Sequence, residues 1–141
     1  MNIPEASVKS VVEGLTPAQT IIAKAMSEGE LQTNIIAAAH QFGWLVMHTR
    51  PTETKKTYTN KKGETRNLWT TPYQGDPGFW DLTLVKNGFR IEWELKTEDG
   101  KLDDNQKQWL KAAHPLQDPG VYVRRPSDWL SGECERILKE G

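Results

Sequence analysis

The chain has 141 residues, 36% of them apolar and 26% charged, the make-up of one globular domain with room for a core. A formal net charge of -1 carries no whole-molecule signature of nucleic-acid binding, so any such activity must come from local patches. No apolar run approaches the roughly 18 residues that span a bilayer. The opening "MNIPEASVKSVVEG" lacks the uninterrupted apolar stretch of a secretory signal. With Cys134 as its one cysteine the chain forms no internal disulfide, which suits a cytoplasmic location, and the lack of a spanning run implies no membrane partner. Six tryptophans point to large packed surfaces or an interface.

Residues 1–14 read as irregular. In "TPAQTIIAKAM", Thr16 as N-cap, Pro17 at the first helical position and Gln19 three residues on predict a helix. Ser27 and Glu30 are spaced as a second capping box. It opens a helix in which Leu31, Ile35, Ala38, Ala39 and Phe42 recur on one face and Gly43 is the stop. "WLVMHTR" (44–50) reads as a strand, largely buried. From Pro51 to Gly78 the chain is polar, with Lys55, Lys56, Lys61, Lys62 and Arg66 against Glu53 and Glu64; "TNKKGET" fits the tip of a small hairpin. Strands "FWDLTLVK" and "FRIEWELK" follow, joined by Asn87-Gly88, the strongest short hairpin signal. Asp103 with Gln106 predicts a helix to about Ala113, ended by Pro115. "DPG" turns the chain into a last strand, "VYVRR", and Ser127 and Ser131 can each cap a short helical turn. The order (α)-α-β-β-β-α-β-α implies an α/β fold with a mixed sheet flanked by helices.

A two-residue turn at Asn87-Gly88 sets Leu84 opposite Ile91, Leu82 opposite Trp93 and Asp81 opposite Glu94. Opposed side chains share a face. Leu82, Leu84, Ile91, Trp93 and Leu95 then make an apolar face, while Asp81, Thr83, Arg90, Glu92, Glu94 and Lys96 make the other. Like charges set opposite, with Cβ atoms about 4.5–5.5 Å apart, are destabilising. A hard divalent cation with carboxylate ligands, such as Mg²⁺, would relieve that conflict, and Lys96 points the same way. The alternative is a solvated outer face on which Lys96 and Arg90 pair the acids.

Asp81, a gap of 12 residues and then Glu94-Leu95-Lys96 resemble the D…(D/E)-x-K signature of the restriction-endonuclease-like nucleases. "EGELQTNIIAAAHQFGWLVMHTR", "GDPGFWDL", "IEWELK", "GKLDDNQKQWL" and "GVYVRR" in that order resemble, more closely, a stand-alone virus-type replication-repair nuclease (VRR-NUC) domain over residues 28 to about 125. Trp80 stands where that family usually has proline before its metal-binding aspartate. The resemblance implies a restriction-endonuclease-like αβββαβ core over residues 27–141, behind an N-terminal extension (1–26) with a helix. It also implies Mg²⁺ (or Mn²⁺) held by Asp81, Glu94 and the Leu95 backbone carbonyl. Lys96 would orient the attacking water, Glu30 would hold a metal-bound water or second ion, and Gln106 would reach toward the site. Small stand-alone members resemble Holliday-junction resolvases, homodimers acting on four-way or branched DNA, with roles in recombination and repair.

Several residues carry two readings. Glu30 and Gln106 are helix caps or catalytic groups. The Lys55, Lys56, Lys61, Lys62 and Arg66 cluster is a solvated loop or a phosphate-contacting arm. Of Arg124 and Arg125, one would contact phosphate while the other pairs with an acid. His40, His48 and His114 lack ligand-like spacing. Trp44, Trp80, Trp93 and Trp109 read as core, whereas Trp69 could stack on an unpaired base. A sequence- or end-directed nuclease, or a non-catalytic nucleic-acid-binding module, competes with the structure-selective endonuclease.

Overall fold

A computed structural model describes residues 12–49, 52–70, 75–113 and 121–141, with the backbone alone for residues 52–58 and 66–70. Two helices open it. Helix α1 (Pro17–Ala25) carries the expected reciprocal capping box, with Gln19 N–H on Thr16 Oγ1 and the Gln19 amide oxygen on Thr16 N–H. Helix α2 (Glu28–Gln41) starts at Ser27, whose hydroxyl accepts from Glu30 N–H at 3.1 Å. Gly43, at φ +87, ends it as expected.

Strands β1 (Leu45–His48), β4 (Leu82–Lys86), β5 (Phe89–Leu95) and β6 (Val121–Arg124) form a mixed sheet in the order β1-β4-β5-β6. Only β5 and β6 run parallel. Strands β2 (Thr52–Thr59) and β3 (Thr65–Thr70) make a separate antiparallel hairpin. Its tip is the expected one: Asn60 Oδ1 accepts from Lys62 N–H and Glu64 N–H, a side chain shaping the turn. Helix α3 (Asp104–Ala113) joins β5 to β6, and α4 (Pro126–Leu130) and α5 (Glu133–Glu140) end the chain. The architecture is therefore α/β, a four-stranded mixed sheet flanked by helices.

The β4–β5 register is the expected one, Leu82 opposite Trp93 and Leu84 opposite Ile91, around a turn with Asn87 at φ +48 and Gly88 at φ +82. Leu82, Leu84, Ile91, Trp93 and Leu95 are all buried beneath α2, with Leu31, Ile35, Ala39, Cys134 and Leu138 completing the core. Burial pushes the Cys134 thiol up to about 12, so it packs as a small apolar group. Met26, from the segment expected to be an extension, belongs to that same core.

Three expectations are corrected. β1 is not largely buried: it lies at the sheet edge, with Leu45 75% and Met47 72% exposed, because nothing among the described residues covers its outward face. β4 begins at Leu82 rather than Phe79, since the segment before it packs on α3. Ser127 sits inside α4, where Pro126 takes the first position and the Asp128 carboxylate accepts from Arg125 N–H at 2.7 Å. Gly132, not Ser131, is the N-cap of α5. Pro115, His114, the "DPG" turn and residues 1–11 lie outside the described residues, as do the side chains of Lys55, Lys56, Arg66 and Trp69. No helix among the described residues is long and apolar enough to cross a membrane.

Candidate metal centre at the end of strand β5

The site is built where the β4–β5 ladder stops. On the β1 side Asp81 still pairs as backbone, its carbonyl accepting from Thr49 N–H at 3.2 Å. Toward β5 the side chain takes over: Asp81 Oδ2 accepts from Leu95 N–H at 2.7 Å. The N–H and C=O of one residue leave an extended strand on the same side. The Leu95 carbonyl therefore faces the Asp81 edge as well.

Glu94 is 2% exposed, a carboxyl buried in the second face of the sheet. Burial raises it, then the charge of Asp81 and a hydrogen bond between the two carboxyls, to about 9; Lys96 pulls the other way, and Glu28 adds to the rise. The acids thus meet across the hairpin as expected, although Asp81 stands one residue outside the ladder.

Gln106 fixes the arrangement from α3. Its amide oxygen accepts from Asp103 N–H at 3.0 Å, and Gln106 N–H donates to Asp103 Oδ1 at 2.8 Å, a complete capping box. The amide nitrogen donates to Glu94 Oε1 at 2.9 Å. The two readings of this residue, cap and site, hold together in one side chain. One oxygen of each carboxylate, Asp81 Oδ2 and Glu94 Oε1, is held by a donor from outside the pair.

The remaining expected residues separate. Lys96 follows Glu94 on the same face, and its charge reaches the pair. Glu28 and Glu30 are both exposed on α2, and Glu28 is the one whose charge acts on Glu94. At 100° per residue Glu28 lies close to the Leu31–Ile35–Ala39 face, and Glu30 points well away from it. Core spacing on α2 could have picked Glu28 from sequence. Arg90 pairs Glu92 at 3.1 Å, as the outer-face alternative expects, but Glu92 is itself buried rather than solvated, and no such ion pair to Asp81 or Glu94 is seen among the described residues.

Arg124 and Arg125 are both placed for structure. Arg124 lies on the opposite face from Glu94, its guanidinium 4.9 Å from the Trp93 ring and 5.1 Å from the Tyr122 ring. Arg125 Nη1 donates to the carbonyls of Thr97, Glu98 and Gly100 at 2.7, 3.2 and 2.7 Å, pinning the loop between β5 and α3. Lys61 and Lys62 are exposed at the hairpin tip.

Beside the pair lies a cleft of about 680 Å³, reached by Asp81 and Gln106 and lined by Thr49, Gly75, Asp76, Phe79, Asn105 and Trp109 among others. The Trp109 indole N–H donates to the Pro77 carbonyl at 2.9 Å, and Phe79 stacks 3.9 Å from Trp80. Gly78, at φ +96, lies so close to α3 that a Cβ would stand 2.5 Å from the Asn105 carbonyl carbon. This cleft is not evident from sequence, where Trp109 reads as core.

Hard oxygens (two carboxylates and a carbonyl) fit Mg²⁺ or Mn²⁺, with water in the remaining positions. Asp81, Glu94 and the Leu95 carbonyl would hold the ion. Among the described residues no three His, Cys, Asp or Glu side chains gather around one point, so a third carboxylate ligand is not supplied. Comparison with known proteins gives no match to any family model, curated protein or solved structure.

Proposed function

We propose that the chain is a metal-dependent DNA endonuclease that hydrolyses phosphodiester bonds, selective for four-way or branched DNA. One observation carries the reading: Glu94 is buried against Asp81 beside Lys96, in a place where burial and like charge both work against stability. Gln106 from a capped helix holds Glu94 in position. The order α2-β1-β4-β5-α3-β6, with β2–β3 inserted, is also the αβββαβ order of the restriction-endonuclease-like core.

Mg²⁺ bound there would lower the pKa of a water and neutralise phosphate charge. The chain's own residues do the rest. Leu95 N–H fixes Asp81, Gln106 fixes Glu94, and Lys96 brings positive charge to the anionic scissile group and orients the attacking water. Thr49 and Gly75, which flank the hairpin segment in sequence, both line the cleft. Residues 52–70 hold five Lys or Arg against two Glu, leaving thirteen cations against seventeen acids elsewhere. A basic arm is thus anchored beside an acidic centre, an arrangement suited to gripping a phosphate backbone.

Symmetric cutting of two strands needs two centres, and one chain carries one acid pair, so a homodimer is part of the proposal. The test is cleavage of fixed four-way junctions, single strands and matched duplexes with Mg²⁺, Mn²⁺, Ca²⁺ or EDTA. Junction-selective nicking in Mg²⁺ or Mn²⁺ supports the reading. Equal cutting of junction and duplex removes the branch selectivity, and no product with any metal removes the nuclease.

A further inference from the structure

The cleft beside Asp81 has walls of a particular chemistry. Among the described residues no Lys, Arg or His lines it, whereas Asp76, Asp81 and Asp103 do, so its wall away from the proposed ion is acidic and does not favour phosphate. Phe79 is 47% exposed despite packing on Trp80 and, edge to face at 5.0 Å, on Trp109. The Asp76 carboxylate and the Asn105 amide, which stand in the same lining, have no partner among the described residues. The volume, about 680 Å³, falls within the roughly 300–1,000 Å³ of small-ligand sites.

The shape is fixed from below. Trp109 donates to the Asp76 and Pro77 carbonyls, and Gly78 lies against the first turn of α3 too closely for any side chain. A flat, neutral group rich in N–H donors matches this lining: it stacks on an aromatic ring and offers amino hydrogens to carboxylate and amide oxygens. We propose that the cleft receives an unpaired nucleobase of the substrate, one bearing an exocyclic amino group, turned out of the helix beside the bond to be cut. The inference rests on the nuclease reading and names the substrate feature it would use. Unpaired bases are available at branch points and bulges, where the cost of extrusion is lowest.

The experiment uses DNA with 2-aminopurine, a fluorescent amino-bearing base, in a one-nucleotide bulge or fully paired, in Ca²⁺ with the whole chain. The bulged probe should be quenched on binding and the paired probe unchanged. Phe79→Ala, a truncation at a half-exposed position, should abolish the quench and weaken bulged-DNA binding about tenfold with duplex affinity unchanged. Asp76→Asn, which keeps the side-chain shape, should narrow the preference for a bulged amino-bearing base over bulged thymine. Equal signals from bulged and paired probe, or a quench that survives Phe79→Ala, overturns the base subsite; if Mg²⁺-dependent cutting persists, the nuclease reading stands without it. Absence of DNA binding overturns both.

Discussion

Gln106 holds Glu94 Oε1 at 2.9 Å with its amide nitrogen while its amide oxygen caps the N–H of Asp103. The cap fixes which end of the amide is nitrogen, so Glu94 Oε1 must be an acceptor. The proton of a neutral Glu94 is thereby directed to Oε2. Gln106→Ala should lower nuclease activity or metal affinity about 10- to 100-fold and cost about 1 kcal/mol of stability through the lost cap. Gln106→Glu separates the roles: its carboxylate still accepts from Asp103, so thermal stability should largely recover while cleavage does not.

Stability of the metal-free chain should fall as pH rises. Glu94 is held at about 9 against an ordinary 4.5, so between those values the folded state keeps a proton that the unfolded state has lost. Folding is then favoured at the acid end and loses support toward pH 9, with a slope approaching about 1.4 kcal/mol per pH unit. Denaturant unfolding in EDTA from pH 5 to 9 measures it. Glu94→Gln should flatten the profile, and a flat profile in the unmodified chain contradicts the buried pair.

Glu28 and Glu30 differ by their side of α2. Glu28→Gln removes a charge acting on Glu94 and should flatten the same profile slightly, with a change in Mg²⁺ affinity. Glu30→Gln should leave both nearly unchanged. Isothermal titration with Mg²⁺ distinguishes them, and a larger effect from Glu30 would return that residue to the site.

Lys61 and Lys62 at the hairpin tip should act on DNA affinity alone. Replacing both with alanine should weaken binding to all sequences alike. The dependence of log affinity on log salt should become shallower by about 0.9 for each phosphate that is no longer neutralised. Folding stability should stay within about 0.5 kcal/mol, since both side chains are exposed.

Gly78→Ala should destabilise by more than about 1 kcal/mol, because φ is +96 and the added carbon meets the α3 backbone at 2.5 Å. If α3 yields instead, Gln106 moves off Glu94 and activity falls at unchanged melting temperature. Thermal melting and cleavage measured together tell these outcomes apart.

The hairpin register was legible because Asn87-Gly88 permits one turn and the alternation of Leu82, Leu84, Ile91 and Trp93 permits one face. That register was enough to bring Asp81 to Glu94. The choice between cap and site for Gln106 was not legible, because the side chain does both and spacing reports only the first. The exposure of Leu45 and Met47 was hidden for another reason: strand signals give period, whereas position at a sheet edge depends on partners distant in sequence. The cleft needed Gly78 to bring residues 75–79 onto α3, a close approach that local pattern does not encode.

Leu95 gives its N–H to a carboxylate and not to a neighbouring strand, and this leaves a natural gauge inside the site. Its amide resonance senses the electron density on Asp81 directly. A nitrogen–proton spectrum recorded during titration with acid or Mg²⁺ would therefore register the filling of the centre without any introduced label or any turnover.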